Sequence, residues 1–198
     1  FVHPDPLEFL YAYPDPPDRE IVGLIASCLA YGRVRQILNS VSWVLERLPN
    51  PSRDIRTASR DSLMRTFADF RHRFTTGEDL VNLLLGMQST LRRHESLRNC
   101  FEHYRRKDDE TILPALSSFV DELSLACESR CNSLLPSPQK GSACKRLHLF
   151  LRWMARKDAV DPGGWDNVPI SKLIVPLDTH MHRISRMLRL TERAQPDI

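Results

Sequence analysis

Two side chains in this sequence have the types and setting for covalent chemistry on a polyanion: the amine of Lys145 and, 33 residues later, the carboxylate of Asp178. Asp178 lies in Ile174-Val175-Pro176-Leu177-Asp178-Thr179-His180-Met181-His182-Arg183-Ile184. Pro176 bars a helix from running through it. Asp178 therefore stands at an N-cap position, with Ile184, Met187 and Leu188 recurring at helical spacing behind it. Arg183, Arg186, Arg189 and Arg193 ride on the same helix. The carboxylate has two readings: a cap worth about 1 kcal/mol, or a reacting group held at the mouth of a cationic helix. Lys145 is expected one turn into a helix over about 142–156 that carries Leu147, Leu149, Phe150, Trp153 and Met154. The dipole is positive at that end, and its field favours a neutral, nucleophilic amine over an ammonium. A solvated surface lysine is the alternative.

Around these two, other residues suggest contacts rather than catalysis. Lys140, on the loop before Lys145, suits a phosphate. Tyr31-Gly32-Arg33-Val34-Arg35-Gln36 joins two helices. There a glycine between an aromatic and two arginines lets the chain approach a phosphate backbone or enter a groove, or simply breaks the helix with a basic rim. Arg71-His72-Arg73-Phe74 has the same character more weakly. Tyr31 and Trp153 are candidates for stacking on a base, or for the core. His180 and His182 suggest a metal, but on a helix residues two apart diverge by about 200° and do not chelate one ion together. Cys127 and Cys131 form half a metal site with no partner pair, and Cys28 reads as core. No metal or cofactor is expected.

The elements that must position these groups are helices. A Pro- and Asp-rich wrap over 1–17 has one short turn near Leu7 to Tyr11. Asp18 is expected to cap a helix that is apolar nearly all round and therefore buried. Further helices are expected over 34–48, 59–70, 78–92, 96–106, 111–128 and 142–156, with Pro49-Asn50-Pro51 as a stop and Thr76 as a cap. No stretch alternates as a strand does, and no repeat is visible. The class is all-α, with about eight to ten helices.

Composition sets bounds. The 198 residues are 41 % hydrophobic and 27 % charged, with a net charge of +3. From Gly141 onward ten Lys and Arg face six Asp and Glu. No stretch stays apolar for the roughly 18 residues of a membrane span, and the first residues lack a signal-peptide pattern. Five cysteines without a CxxC pair read as a reduced, cytoplasmic protein.

Two segments are similar to the helix-hairpin-helix DNA glycosylase superfamily. Leu177-Asp178-Thr179-His180-Met181-His182-Arg183-Ile184, followed by Leu188-Arg189-Leu190, resembles the Val-Asp-Thr-His-x-x-Arg-Val-x-x-Arg-Leu-Gly-Leu run of endonuclease III relatives, and Leu24 to Tyr31 resembles their early buried helix. Nearly the whole chain also resembles a bacterial family labelled only as a domain of unknown function, through Asp5 to Leu10, Leu24 to Arg33, Lys145 to Met154 and Pro176 to Arg183. That family in turn resembles archaeal 8-oxoguanine DNA glycosylase. The Leu-Pro-Gly-Val-Gly hairpin and the four-cysteine cluster of the superfamily are missing, and Gly32 stands where endonuclease III has its inserting glutamine.

The resemblance implies a glycosylase-like fold of two helical subdomains, 18–135 and 136–198 with the wrap 1–17, around a cleft. It implies Lys145 as the Schiff-base lysine and Asp178 as the catalytic carboxylate of a base-excision glycosylase and abasic-site lyase acting on an oxidised purine such as 8-oxoguanine. Arg33, Arg35, Lys140 and Arg183 become DNA contacts. The implied partner is damaged double-stranded DNA, bound by a monomer in the bacterial cytosol. The alternatives are a DNA-binding module of the same fold without chemistry, and a metal-dependent hydrolase using Asp178, His180 and His182.

Overall fold

Pro16 and Pro17 set the start of the central helix, because a proline in the first turn loses no hydrogen bond there. The computed structural model describes residues 2–125, 133–177 and 179–194, and these are mostly helical. Helix α1 runs over Pro16–Cys28 and follows a 3-10 turn at Pro6–Ala12. Asp15, not Asp18, holds the N-cap position. Asp18 lies inside the first turn, and its carboxylate accepts from the Ser52 amide at 2.8 Å. The expected cap thus ties α1 to a different helix.

Helix α2 covers Val34–Leu45 and helix α3 covers Pro51–Thr57. The sequence did not announce α3. Pro51 reads as a stop, yet a proline that ends one helix also suits the first turn of the next. Helix α4, Arg60–Phe67, begins at Ser59, whose hydroxyl accepts from the Ser62 amide. Two strands, β1 (Arg71–His72) and β2 (Thr75–Thr76), then form an antiparallel hairpin. Strands of two residues show no alternation, so pattern reading misses them. Helix α5, Gly77–His94, opens with a reciprocal cap between Thr76 and Asp79. Helices α6 (Leu97–Tyr104), α7 (Leu113–Ser124), α8 (Lys145–Ala155) and α9 (Thr179–Met187) follow.

Helix α1 is buried from Glu20 to Cys28 and is the axis of the core. A Cβ on Gly23 would lie 3.3 Å from Phe150 and 3.4 Å from Met154. At the other end of the contact, Arg146 reaches the Cys28 carbonyl. The two helices therefore run antiparallel, with the C-terminus of α1 beside the N-terminus of α8. They lie on either side of the expected division at 135/136 and share one continuous core that extends from Leu7 to Val168. Phe101, Phe119, Phe150 and Trp165 pack in it with centroid separations of 5.1–6.4 Å. The buried Glu20 carboxylate accepts from the Leu97 and Arg98 amides at 2.8 and 3.0 Å and from the Trp165 indole at 3.2 Å. It thereby fixes the start of α6 to α1, and burial raises its pKa.

Helix α9 departs from the expected packing. Ile184, Met187 and Leu188, whose spacing announced it, are between 55 % and 74 % exposed. His182 is the residue that turns inward, its Nε2 lying 2.9 Å from the Arg193 carbonyl.

His148, on α8, is 3 % exposed, and neither ring nitrogen has a partner among the described residues. Burial pushes its pKa from 6.5 down to about 4. Between those values the unfolded chain holds a proton that the folded chain rejects. Stability is therefore fully present above the unfolded pKa and is lost as pH falls toward the folded one. From pH 7 to pH 5 this group alone should remove roughly 2 kcal/mol. Denaturant unfolding at both pH values should show wild type losing more than His148→Leu by about that amount. Equal losses in the two proteins would contradict the assignment.

Candidate nucleic-acid interface

Because α1 and α8 run antiparallel, the loop leaving α1 and the loop entering α8 emerge at the same end of the molecule. Arg146 joins them. Its Nη1 donates to the Cys28 carbonyl at 2.5 Å, its Nη2 donates to the Ser133 carbonyl, and its guanidinium carbon lies 4.9 Å from the Tyr31 ring centroid. The last carbonyls of a helix have no partner within it, and a cation there is electrostatically favoured.

Tyr31 carries the next link. Its hydroxyl donates to the His72 carbonyl at 3.0 Å and lies 2.5 Å from the Thr75 hydroxyl. His72 returns the contact through Nε2, 3.0 Å from the Tyr31 carbonyl. A carbonyl only accepts, so Nε2 carries the proton, and Nδ1 accepts from Ser40 Oγ at 2.8 Å. Burial holds the His72 pKa below its usual value, in keeping with this neutral form. The hairpin is thereby locked against the loop after α1. Gly32 completes the fit with φ +99°, and a Cβ there would meet Arg73 Cδ at 2.9 Å.

The residues presented at this end are basic and aromatic. Arg33, Arg35, Arg71 and Arg73 are exposed. Among the described residues Arg33, Arg35 and Arg73 have no salt-bridge partner. Phe74 is 64 % exposed and stacks on Tyr31.

Lys145 belongs to the same end, but not where the periodicity put it. Gly141 and Cys144 both adopt left-handed backbone, which a right-handed helix does not admit, so α8 starts at Lys145 itself rather than at Ser142. The Cys144 thiol donates to the Pro136 carbonyl at 3.2 Å and holds the entry loop closed. Lys145 is thus the exposed first residue of α8. Lys140 is exposed on the entry loop, next to Gln139, which donates to Asp121 on α7.

The other expected site residues lie on the buried side of α8 and on α9. Trp153 is corrected from base pocket to core: it is 2 % exposed, because its position on α8 faces the buried side. Arg183 is exposed on α9 and lines an open groove of about 600 Å³ with His180, His182 and Arg186. His180 is exposed and His182 is buried. Asp178, Cys127 and Cys131 lie outside the described residues. Arg146 escaped notice because its partners are carbonyls, one of them 118 positions away. His72 was named only within a basic and aromatic run, and its locking role escaped because the hairpin did. Among the described residues no helix is long and apolar enough to cross a membrane.

The chain belongs to the DUF2400 family of proteins of unknown function, which matches residues 5–198. No curated protein and no solved structure matches it.

Exposed arginines that meet phosphates release counterions, so each should contribute to the salt dependence of binding. If duplex DNA binds at this end, Arg33→Ala and Arg35→Ala should each lower the slope of log affinity against log salt by about one. An unchanged slope in both variants would remove these residues from the interface.

Proposed function

We propose that this DUF2400 protein is a DNA glycosylase with an associated abasic-site lyase, acting on an oxidised purine such as 8-oxoguanine. The observation that carries the reading is Lys145. It is exposed as the first residue of α8, at the end of the molecule where Arg33, Arg35, Arg73 and Phe74 are also exposed. The likeness of the Asp178 and Leu24-to-Tyr31 segments to the helix-hairpin-helix glycosylases supports it independently. So does a mostly helical chain in which α1 and α8 form the central pair. In this reading the two subdomains of that fold lie on either side of a cleft, with damaged duplex DNA as the partner.

The chemistry runs as follows. The damaged nucleotide leaves the stack, at an unstacking cost of a few kcal/mol. As the base departs with the bonding electrons, positive charge builds on the sugar, and the Asp178 carboxylate stabilises it. The Lys145 amine attacks C1′, and loss of its protons with ring opening gives an imine. Loss of a C2′ proton then expels the 3′-phosphate, and hydrolysis of the imine frees the lysine. Arg33, Arg35 and Arg183 hold flanking phosphates.

Borohydride reduces such an imine to a stable amine and traps the protein on DNA. Wild type should give a covalent adduct with a duplex bearing an abasic site, and Lys145→Gln should give none. Asp178→Asn should bind 8-oxoguanine duplex but not excise the base. An adduct that persists in Lys145→Gln would reject that residue. DNA binding by wild type with no adduct and no excision of 8-oxoguanine or uracil would leave a binding module of this fold in place of the enzyme.

A further inference from the structure

Between α2 and the start of the hairpin lies a pocket that the reading above leaves unused. Asn39, Ser40 and Trp43 line it from α2, and Asp69, Phe70 and Arg71 line it from the turn into β1. Its volume is about 250 Å³. Clefts that enclose a whole drug-sized ligand run from roughly 300 to 1,000 Å³. This one therefore suits a single planar ring system whose substituents stay outside.

The apolar part of the lining is fixed. Phe70 is 2 % exposed, and its amide donates to the Phe67 carbonyl at 3.0 Å. The half-buried Trp43 ring packs against Phe67 and Phe70 with centroids 6.1 and 5.6 Å apart, and the Arg47 guanidinium carbon lies 3.5 Å from its centroid. Ser40 donates to His72 and so ties the pocket to β1. The polar part is uncommitted. Among the described residues the Asn39 amide, the Trp43 indole N–H and the Asp69 carboxylate make no hydrogen bond or ion pair. The Arg71 guanidinium donates only to the adjacent Phe70 carbonyl, so Asp69 and Arg71 stand two positions apart without pairing. A few convergent polar groups against aromatic walls are the composition of a small-ligand site.

The pattern of donors and acceptors selects the ring. A carboxylate only accepts, and its two oxygens match two adjacent N–H donors. Among the common nucleobases guanine alone offers that pair, N1–H beside the 2-amino group. Its O6 then faces a donor, which an amide or an indole supplies. Adenine and cytosine present one amine next to an acceptor nitrogen, and uracil and thymine a single N–H between two carbonyls. From this we propose that the pocket binds guanine by its Watson–Crick edge. Asp69 accepts from N1 and the 2-amino group, Asn39 donates to O6, Trp43 and Phe70 form the apolar wall, and Arg71 meets the phosphate outside. A free guanine nucleotide and an unpaired guanine in a single strand share this chemistry. The assignment uses neither Lys145 nor Asp178 and does not rest on the glycosylase reading.

Calorimetric titration with GMP, AMP, CMP, UMP and IMP, and with a trinucleotide holding guanine between two thymines, tests it. GMP should bind at least about tenfold more tightly than the other four, IMP included because it lacks the 2-amino group. Asp69→Asn sets an amide donor against guanine's donors and should remove that preference. Asn39 and Asp69 are exposed, so Asn39→Ala and Asp69→Asn should melt with wild type. In an amide correlation spectrum GMP should shift the indole N–H of Trp43 and leave those of Trp153 and Trp165, which are buried, in place. Tighter binding of the trinucleotide makes single-stranded nucleic acid the source of the guanine, and GMP binding as tight or tighter makes it a free nucleotide. Equal affinity for GMP and AMP, a guanine preference intact in Asp69→Asn, or no Trp43 shift with GMP or the trinucleotide overturns the assignment. Borohydride trapping reads Lys145, so its failure rejects the lyase and leaves this pocket standing.

Discussion

The antiparallel seating of α8 on α1 is the contact on which the remaining arrangement depends. Helix α1 has no solvated face from Glu20 onward, so every neighbour is placed by how it covers that helix. Gly23 lets Phe150 and Met154 come within van der Waals reach. A larger residue there would push α8 outward and with it Arg146, whose two carbonyl contacts close the end of the pair. The orientation decides which loops become neighbours. Had α8 run parallel to α1, Lys145 would stand beside the proline-rich entry at Pro16, far from Tyr31.

The two ends of α8 use arginine differently. At the C-terminal end Arg152 and Arg156 both bind the fully buried Asp161 carboxylate, at 3.0 and 3.3 Å, and Arg19 donates to four backbone carbonyls nearby. Those cations shape a loop. At the N-terminal end Arg146 is also structural, but Arg33, Arg35 and Arg73 project into solvent. Screened, exposed guanidinium groups contribute little to stability. In the proposed reading their common location serves an external anion. The hydrogen bonds of Tyr31 and His72 give that basic rim a fixed shape, which solvated arginines alone would lack.

Much of the fold was legible because it rests on local signals. The buried character of α1 follows from an apolar run with no polar face, the start of α5 follows from Thr76 as a cap, and the helices expected from Ser59 and Ser96 start there, with those serines as their caps. What escaped was set by tertiary contact or by backbone strain. The hairpin is held by Tyr31 and Ser40 rather than by any strand propensity. Residues Gly141 and Cys144 move the start of α8 by three positions through left-handed turns that no periodicity reveals. The exposure of Ile184 and Met187 has the same origin, since helical spacing reports a face and not whether anything covers it. At the candidate site the sequence marked Lys145, Tyr31, Arg33 and Arg35 by type and neighbourhood. It could not mark Arg146 or His72, whose roles arise only when distant carbonyls arrive.

The central claim is that one end of the α1–α8 pair receives DNA. Amide hydrogen exchange, with and without a duplex carrying a stable abasic analogue, tests it over the whole chain at once. The account predicts slowed exchange at 30–36, 71–76 and 140–148, with little change at the opposite end of α1. Protection centred on the start of α1 and on α3, where Asp15, Asp18, Ser52 and Arg56 line an open groove, with those three segments unaffected, would contradict it.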